Sequence, residues 1–380
     1  MEERKVLIES WSPCCDIQAL AEQDGRTCYF YLWVHPDTEQ ARLHACFVSN
    51  TAPKTEAVSL EEWQLHNDGS PPMLRYSAVT HSEDGLSFAP EELEIVWTME
   101  GSGAGLLWRG ELLAFIPEWS NEQVPGFSRF IKGSTPFGAE LGPAKERLEG
   151  IVRQGRAFWA KMEGDFWPEF QQSGLDSIEN FLGSYDKYYA IDGGQFPPRA
   201  LVTGEKDGVL YGLTLGMSLL RQPMVESFYQ EKTPDFSRIE LGFACKKEQE
   251  EVFMPMLEQI AGLGSIPWRQ ITSLGHGHTV TNHGIAGFPA VWLLNANLLG
   301  PGNGPDYQPA FGERVNLLWL VPVNQQEYDF LLQYNMEKIF GMPFDQGVTI
   351  FDGRPKGVIR QLSGGKLGNM LGKLFNKNRM

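Results

Sequence analysis

Residues 214–241 read TLGMSLLRQPMVESFYQEKTPDFSRIEL, and this stretch decides how the second half of the chain is understood. The apolar run Val209–Leu219 predicts a strand that carries Thr214-Leu-Gly-Met-Ser218 at its end. A polar, Pro-containing connection follows, and Arg238–Cys245 (RIELGFAC) predicts a second strand. Ser218 in Gly216-Met217-Ser218 looks like half of a nucleophile elbow. The G-x-S-x-G pattern needs Gly at 220, however, and Leu220 stands there.

Outward from this stretch, strand signal also occurs at Arg199–Val202, and Glu248–Leu263 reads as a helix with Pro255 as a kink. Val315–Val323 (VNLLWLVPV) has the continuous apolar character of a buried strand. The spacing then predicts a helix over 325–340, with Asn324 as N-cap and Glu327 closing a capping box. Its apolar face is Tyr328, Leu331, Leu332, Met336 and Ile339. Strands alternating with helices predict a mixed α/β domain here. Further toward the start, Leu175–Leu182 predicts one helix and Pro143–Trp167 a connecting one, opened by Pro143. Residues 1–140 read mostly as strands: Thr27–Val34 (TCYFYLWV), Arg42–Ser49, Leu93–Met99 and Leu106–Ile116, separated by turn-rich segments. The expectation is an α+β chain with four parts. These are a β-rich amino-terminal domain (1–140), a helical connector (141–174), a mixed domain (175–345) and a mobile basic tail (346–380).

The densest group of chemical side chains is Leu274-Gly-His-Gly-His-Thr-Val-Thr-Asn-His283. On a strand, His276 and His278 would share a face. With His283 returning after a turn, three imidazoles would suffice for an open zinc site and a metal-dependent hydrolase. Against this, the H-x-H-x-D-H order fails because Val280 occupies the Asp position, and no thiolate or carboxylate lies nearby in sequence. A glycine-rich structural turn is the preferred reading. Gly101-Ser-Gly-Ala-Gly105 precedes a strand, not a helix, so it reads as a turn and not a phosphate loop. Cys14-Cys15-Asp16 reads as two ordinary reduced thiols near a strand end. Glu111, Asp165 and Asp192 have no recognisable pairing. No catalytic set emerges, and no cofactor is expected.

Charge is uneven. The chain carries −16 overall, yet residues 354–380 hold seven basic and no acidic side chains, which leaves −23 on the rest. Such a body repels nucleic acid and favours a basic partner, while the tail suits an acidic surface. In the tail, Leu367, Met370, Leu371, Leu374 and Phe375 recur at helical spacing. Five cysteines without a C-x-x-C pair suggest a reducing compartment. No apolar run is long enough to span a membrane, and the start lacks the pattern of a signal peptide. A cytoplasmic location is expected.

Four segments in order resemble the suppressor-of-fused domain family in its bacterial form. They are Thr214–Ser218 with Pro223-Met224, Arg238-Ile-Glu-Leu241, Leu274–Gly284, and Leu317–Pro322 followed by the Glu327 helix. The third is similar to the family's L-G-x-G-H-T-[IV]-x-N-G element, with His283 inserted between Asn and Gly. The region from Asn295 to Gly312 is longer and richer in Gly and Pro than the family pattern. The resemblance covers about residues 175–345. It implies a non-enzymatic, protein-binding domain. Animal relatives clamp an extended peptide of a transcription factor, and bacterial relatives are proposed as immunity proteins or antitoxins that neutralise a toxin. Gly216, Met217, Ser218, Gly277, His278, Thr279 and Asn282 carry the motifs and are the candidate interaction residues. Leu107–Pro117 is similar to a stretch in amino-terminal extensions of some bacterial members, with no role attached. A scaffold using the basic tail is the remaining alternative.

Overall fold

The computed structural model describes residues 4–54, 70–333, 347–354 and 357–358. The chain divides into two compact units: one runs to Asp165 and includes Trp268–Ile271, and the other begins at Phe166.

The described residues of the first unit form two sheets. β1 (Lys5–Trp11), β2 (Ile17–Gln23), β3 (Thr27–Val34) and β4 (Arg42–Asn50) form an antiparallel meander in that order. β3 is aromatic and β-branched and almost wholly buried, as the centre of a sheet requires. Tyr29, Tyr31 and Phe47 pack with Leu20, Val79 and Ile131 on one face. The second sheet contains β5 (Leu93–Trp97), β6 (Ala104–Trp108), β7 (Glu111–Ile116), β8 (Phe127–Ser128), β9 (Ser134–Thr135) and β10 (Gly138–Glu140), in the order β5-β6-β7-β8-β10-β9. The single strand expected over Leu106–Ile116 is therefore a hairpin. Arg109 and Gly110 sit at its tip with φ of 52° and 81°, the left-handed pair that a tight two-residue hairpin turn uses.

Helix α1 (Lys145–Met162) seats Leu148 and Val152 against Val96, Leu107 and Phe115 of this sheet. Helix α2 (Trp167–Leu182) starts with Pro168 in its first turn and buries Ile178 and Leu182 in the core of the second unit. The helix expected over Leu175–Leu182 thus begins earlier, at Trp167, and α1 and α2 serve different cores.

The second unit is built on a mixed sheet. Its main path is β11 (Lys187–Ala190), β12 (Ala200–Lys206), β13 (Val209–Leu215), β14 (Arg238–Lys246), β17 (Val315–Val323), β16 (Ala290–Asn295) and β15 (Thr279–Thr281). β14 runs parallel to β17 and also to β18 (Ile350–Phe351), and the other pairs are antiparallel. Trp292, Trp319 and Leu213 lie in a core that also takes Phe330 and Leu331. α3 (Val225–Tyr229) lies in the β13–β14 connection, and α4 (Phe253–Leu263) buries Phe253, Met256, Leu257, Ile260 and Leu263. Pro255 stands in the first turn of α4, where a missing N–H costs little, so it starts the helix and does not kink it. α5 (Gln325–Gln333) has the expected capping box: Glu327 N–H donates to Asn324 Oδ1 at 3.0 Å and Asn324 N–H to Glu327 Oε2 at 2.9 Å. Leu332, expected on the apolar face, is exposed. The remainder of the helix expected to 340 lies outside the described residues.

β18 joins β14, Val348 and Val358 are buried, and Arg354 is 4% exposed with Nη2 donating to the Val348 carbonyl at 2.7 Å. Burial pushes the Arg354 guanidinium down to about 10. The apolar repeat at 367–375 lies outside the described residues. Among the described residues, no helix is long and apolar enough to cross a membrane.

Candidate binding site

The quoted stretch folds around one carboxylate. β13 ends at Leu215 and Gly216 turns the chain at φ 113°, opening the short 3-10 turn Met217–Leu219. A Cβ on Gly216 would lie 2.2 Å from the Pro198 carbonyl oxygen, so no other residue fits. The turn aims its donors at Glu240 of β14. Glu240 Oε1 accepts from Gly216 N–H (3.0 Å), Ser218 N–H (3.0 Å) and Ser218 Oγ (2.6 Å), and Oε2 accepts from Thr214 Oγ1 (2.6 Å). Burial pushes the Glu240 pKa up, and these four donors work against that rise. Thr214-x-Gly216-x-Ser218 and Glu240 are therefore two halves of one structural feature.

Two residues earlier on the same strand, the Arg238 guanidinium is fully buried. It donates to Glu313 Oε2 at 2.7 Å and to the carbonyls of Ser218 and Leu219 at 3.1 and 2.6 Å. Arg221 grips the same Glu313 through Nε at 2.8 and 2.9 Å and through Nη2. Burial works against the Glu313 carboxylate, but the two guanidiniums outweigh it and hold its pKa below the usual carboxylate range. Gln222 then ties this loop to the histidine segment: its Nε2 donates to the Leu274 carbonyl at 3.1 Å and its Oε1 accepts from Leu274 N–H at 2.8 Å.

The structure places His276 and His278 in the loop before β15, not on a strand. Gly277 between them is left-handed at φ 92° and donates to the Leu293 carbonyl. His276 Nδ1 accepts from Asn295 N–H at 2.9 Å, and Asn295 Nδ2 donates to Asn316 Oδ1 at 2.9 Å. Burial, with His278 beside it, pushes the His276 imidazole down to about 4, so it is neutral at pH 7. His278 is exposed. His283 is not brought to the pair; its N–H donates to Gln259 Oε1 on α4. Among the described residues, no group of three or more His, Cys, Asp or Glu side chains could hold a metal ion. Asn282 is buried and shapes the 282–289 loop by donating to the carbonyls of Ile285 and Phe288.

These two halves enclose a small cleft of about 100 Å³. His276, His278 and Gly275 form one wall, and Val225, Tyr229 and Phe236 form another, with Asn295 and Asn316 also lining it. The Tyr229 and Phe236 rings stack at 4.3 Å between centroids. Phe228, also lining the cleft, is 69% exposed. β15 leaves this wall as the end strand of the sheet path, with Thr279 partly exposed.

The motif residues thus separate. Gly216, Met217, Ser218 and Asn282 are interior framework: Met217 is 0% and Ser218 3% exposed, so neither side chain lies at the surface. Gly277 shapes its turn. His278 and Thr279 are the ones that reach solvent. Phe228 and Gln222 carried no motif signal and were missed, as was Glu313, whose partner Arg238 lies 75 residues away.

A comparison with curated proteins finds no match. A family model, described as Suppressor of fused protein (SUFU), matches residues 191–354, from just after β11 through β18 to the buried Arg354. Residues 191–354 thus form a suppressor-of-fused-like domain, which suggests a protein-interaction module, and a β-rich amino-terminal region precedes them.

Proposed function

We propose that this chain is a non-enzymatic, protein-binding module that takes an extended segment of its partner along β15, with one apolar or aromatic side chain seated in the adjoining cleft. The observation that carries this is the exposed Phe228 beside a 100 Å³ cleft with stacked aromatic walls, next to an end strand of the sheet. In an antiparallel pair, alternate residues turn their N–H and C=O outward, and a peptide can pair with them. Asn282 N–H points inward to Pro289, so Thr279 and Thr281 are the outward pair. The Thr281 carbonyl already accepts from Gln259 Nε2, which limits strand addition to the Thr279 end, beside the cleft. The partner's chemistry follows from charge: the chain without its basic terminus carries −23, so encounter with a basic protein is steered and an acidic one is disfavoured. An immunity or antitoxin role against a basic toxin, in a reducing cytoplasm, is the specific version of this reading.

The test is a binding titration with a partner recovered on the full-length chain and then purified. Phe228→Ala should weaken Kd at least about tenfold, as loss of an interface aromatic does. Unchanged affinity for Phe228→Ala and Thr279→Pro together would remove the cleft and strand from the recognition surface. Inhibition of a toxic activity of that partner would support the antitoxin version, and a partner without one would remove it.

A further inference from the structure

The first unit contains an adjacent thiol pair that the binding reading does not use. Cys14 and Cys15 lie in the bend between β1 and β2, with their Sγ atoms 3.9 Å apart. Both thiols point at one acceptor, the Glu100 carbonyl, at 3.3 and 3.5 Å. The bend is held from the other side by Ser12: its Oγ accepts from the N–H groups of Cys14 and Cys15 at 3.3 and 3.0 Å and donates to the Gly101 carbonyl at 2.7 Å. Gly101 leaves no slack, because a Cβ there would lie 2.4 Å from Cys14 Sγ. The two sulfurs are thus pressed together by the β5–β6 turn. Of the five cysteines, Cys14 alone is partly exposed, and the other four are buried.

We propose that Cys14 and Cys15 form a reversible dithiol–disulfide site that a peroxide oxidises. The Cys14 thiolate attacks one peroxide oxygen, the O–O bond breaks, and hydroxide or alkoxide leaves, giving a sulfenic acid at Cys14. The Cys15 sulfur then attacks the Cys14 sulfur, the S–O bond breaks, and the hydroxyl takes the Cys15 proton and leaves as water. Two thiols are oxidised and one peroxide is reduced, so no further reactant is needed. The order of attack follows from the site. Cys15 is buried, and its hydrogen bond with Cys14 together with burial pushes its thiol well up, so the partly exposed Cys14 meets the oxidant first. The product is a strained link. Adjacent Cα atoms are about 3.8 Å apart across a trans peptide, below the usual disulfide spacing of about 4.4–6.8 Å. Strained disulfides have the higher potentials of labile, regulatory bonds, so a dithiol reductant reopens this one.

Treatment of the native full-length chain with stoichiometric hydrogen peroxide, followed by maleimide trapping and peptide mass mapping, tests this. The expected result is that the peptide holding Cys14 and Cys15 loses the mass of two hydrogens and both maleimide adducts, and regains them after dithiothreitol. Cys15→Ser should instead stop at a sulfenic acid that dimedone captures at Cys14, and Cys14→Ser should give no modification at either position. Two intact maleimide adducts after peroxide, a disulfide that forms only in urea, or a chain-to-chain dimer through Cys14 would each overturn the proposal. The wild-type mass result decides even if a variant fails to fold.

Discussion

Removing the Glu240 side chain tests whether the T-x-G-M-S turn is held by that carboxylate. In Glu240→Ala, the N–H groups of Gly216 and Ser218 and the Ser218 hydroxyl lose the Oε1 atom they share, all in a buried site. Thr214 Oγ1 suffers less, because it also accepts from Leu241 N–H at 2.7 Å and contacts the Leu241 carbonyl at 3.4 Å. A buried donor left without a partner costs about 1–3 kcal/mol, which for the two fixed backbone donors suggests about 2–6 kcal/mol. Removal of a carboxylate whose burial was itself unfavourable offsets part of this. A net loss of about 3 kcal/mol is expected, a large fraction of the roughly 5–15 kcal/mol of a typical native state. Glu240→Gln should behave differently. Its amide oxygen can face the three donors on the Oε1 side, and its NH₂ can donate to Thr214 Oγ1, so the change should stay within about 1 kcal/mol. The pH dependence separates the two effects. A pKa raised by burial contributes stability that is present below the unfolded carboxylate value and lost as pH rises through the folded one, and Glu240→Gln should lack that loss. The assay is urea unfolding followed by tryptophan fluorescence, with hydrogen exchange at the Gly216 and Ser218 amides as the local readout. Glu240→Ala within about 0.5 kcal/mol of wild type, with both amides still protected, would refute the reasoning.

Gly216→Ala should destabilise by more than about 2 kcal/mol, because it combines a left-handed φ of 113° with a Cβ 2.2 Å from a backbone carbonyl; thermal unfolding measures it. His276, depressed to about 4, contributes stability that is complete above its unfolded value of 6.5 and is lost as pH falls from there toward 4. Up to about 3 kcal/mol of acid sensitivity should therefore be present in wild type and absent in His276→Gln, read from stability curves across that window. We propose that a fragment from Gly164 onward folds alone, since α2 and the mixed sheet share one core; near-UV circular dichroism of the fragment should show fixed aromatic signals, and a molten spectrum beside a folded full chain would count against independence.

Several elements were legible from local patterns. β3 and β17 are short apolar or β-branched runs of strand length, and the Asn324–Glu327 capping box spans three residues, so its two hydrogen bonds were readable before any tertiary contact. The order of the four motif segments pointed to the domain family, and three of their residues serve fixed needs of the backbone or core: a left-handed turn at Gly216, a buried acceptor at Glu240, a buried cation at Arg238. Tertiary structure decided the rest. The polar break Arg109-Gly110-Glu111 inside 106–116 allows either an exposed stretch of one strand or a turn, and the pairing of Trp108 with Glu111, which puts Arg109 and Gly110 at positive φ, decides for the hairpin. Helical periodicity marks the face of α1 and of α2 that is buried, but not which core receives it. The three histidines looked equivalent in sequence, yet the Asn295 and Gln259 hydrogen bonds send them to different neighbours. Glu313 had no visible role until the sheet brought it to Arg221 and Arg238, 92 and 75 residues away. Periodicity and capping depend on a dozen neighbouring residues, whereas a buried ion pair or a cleft wall exists only when distant segments exclude water together, and only the folded chain determines which segments those are.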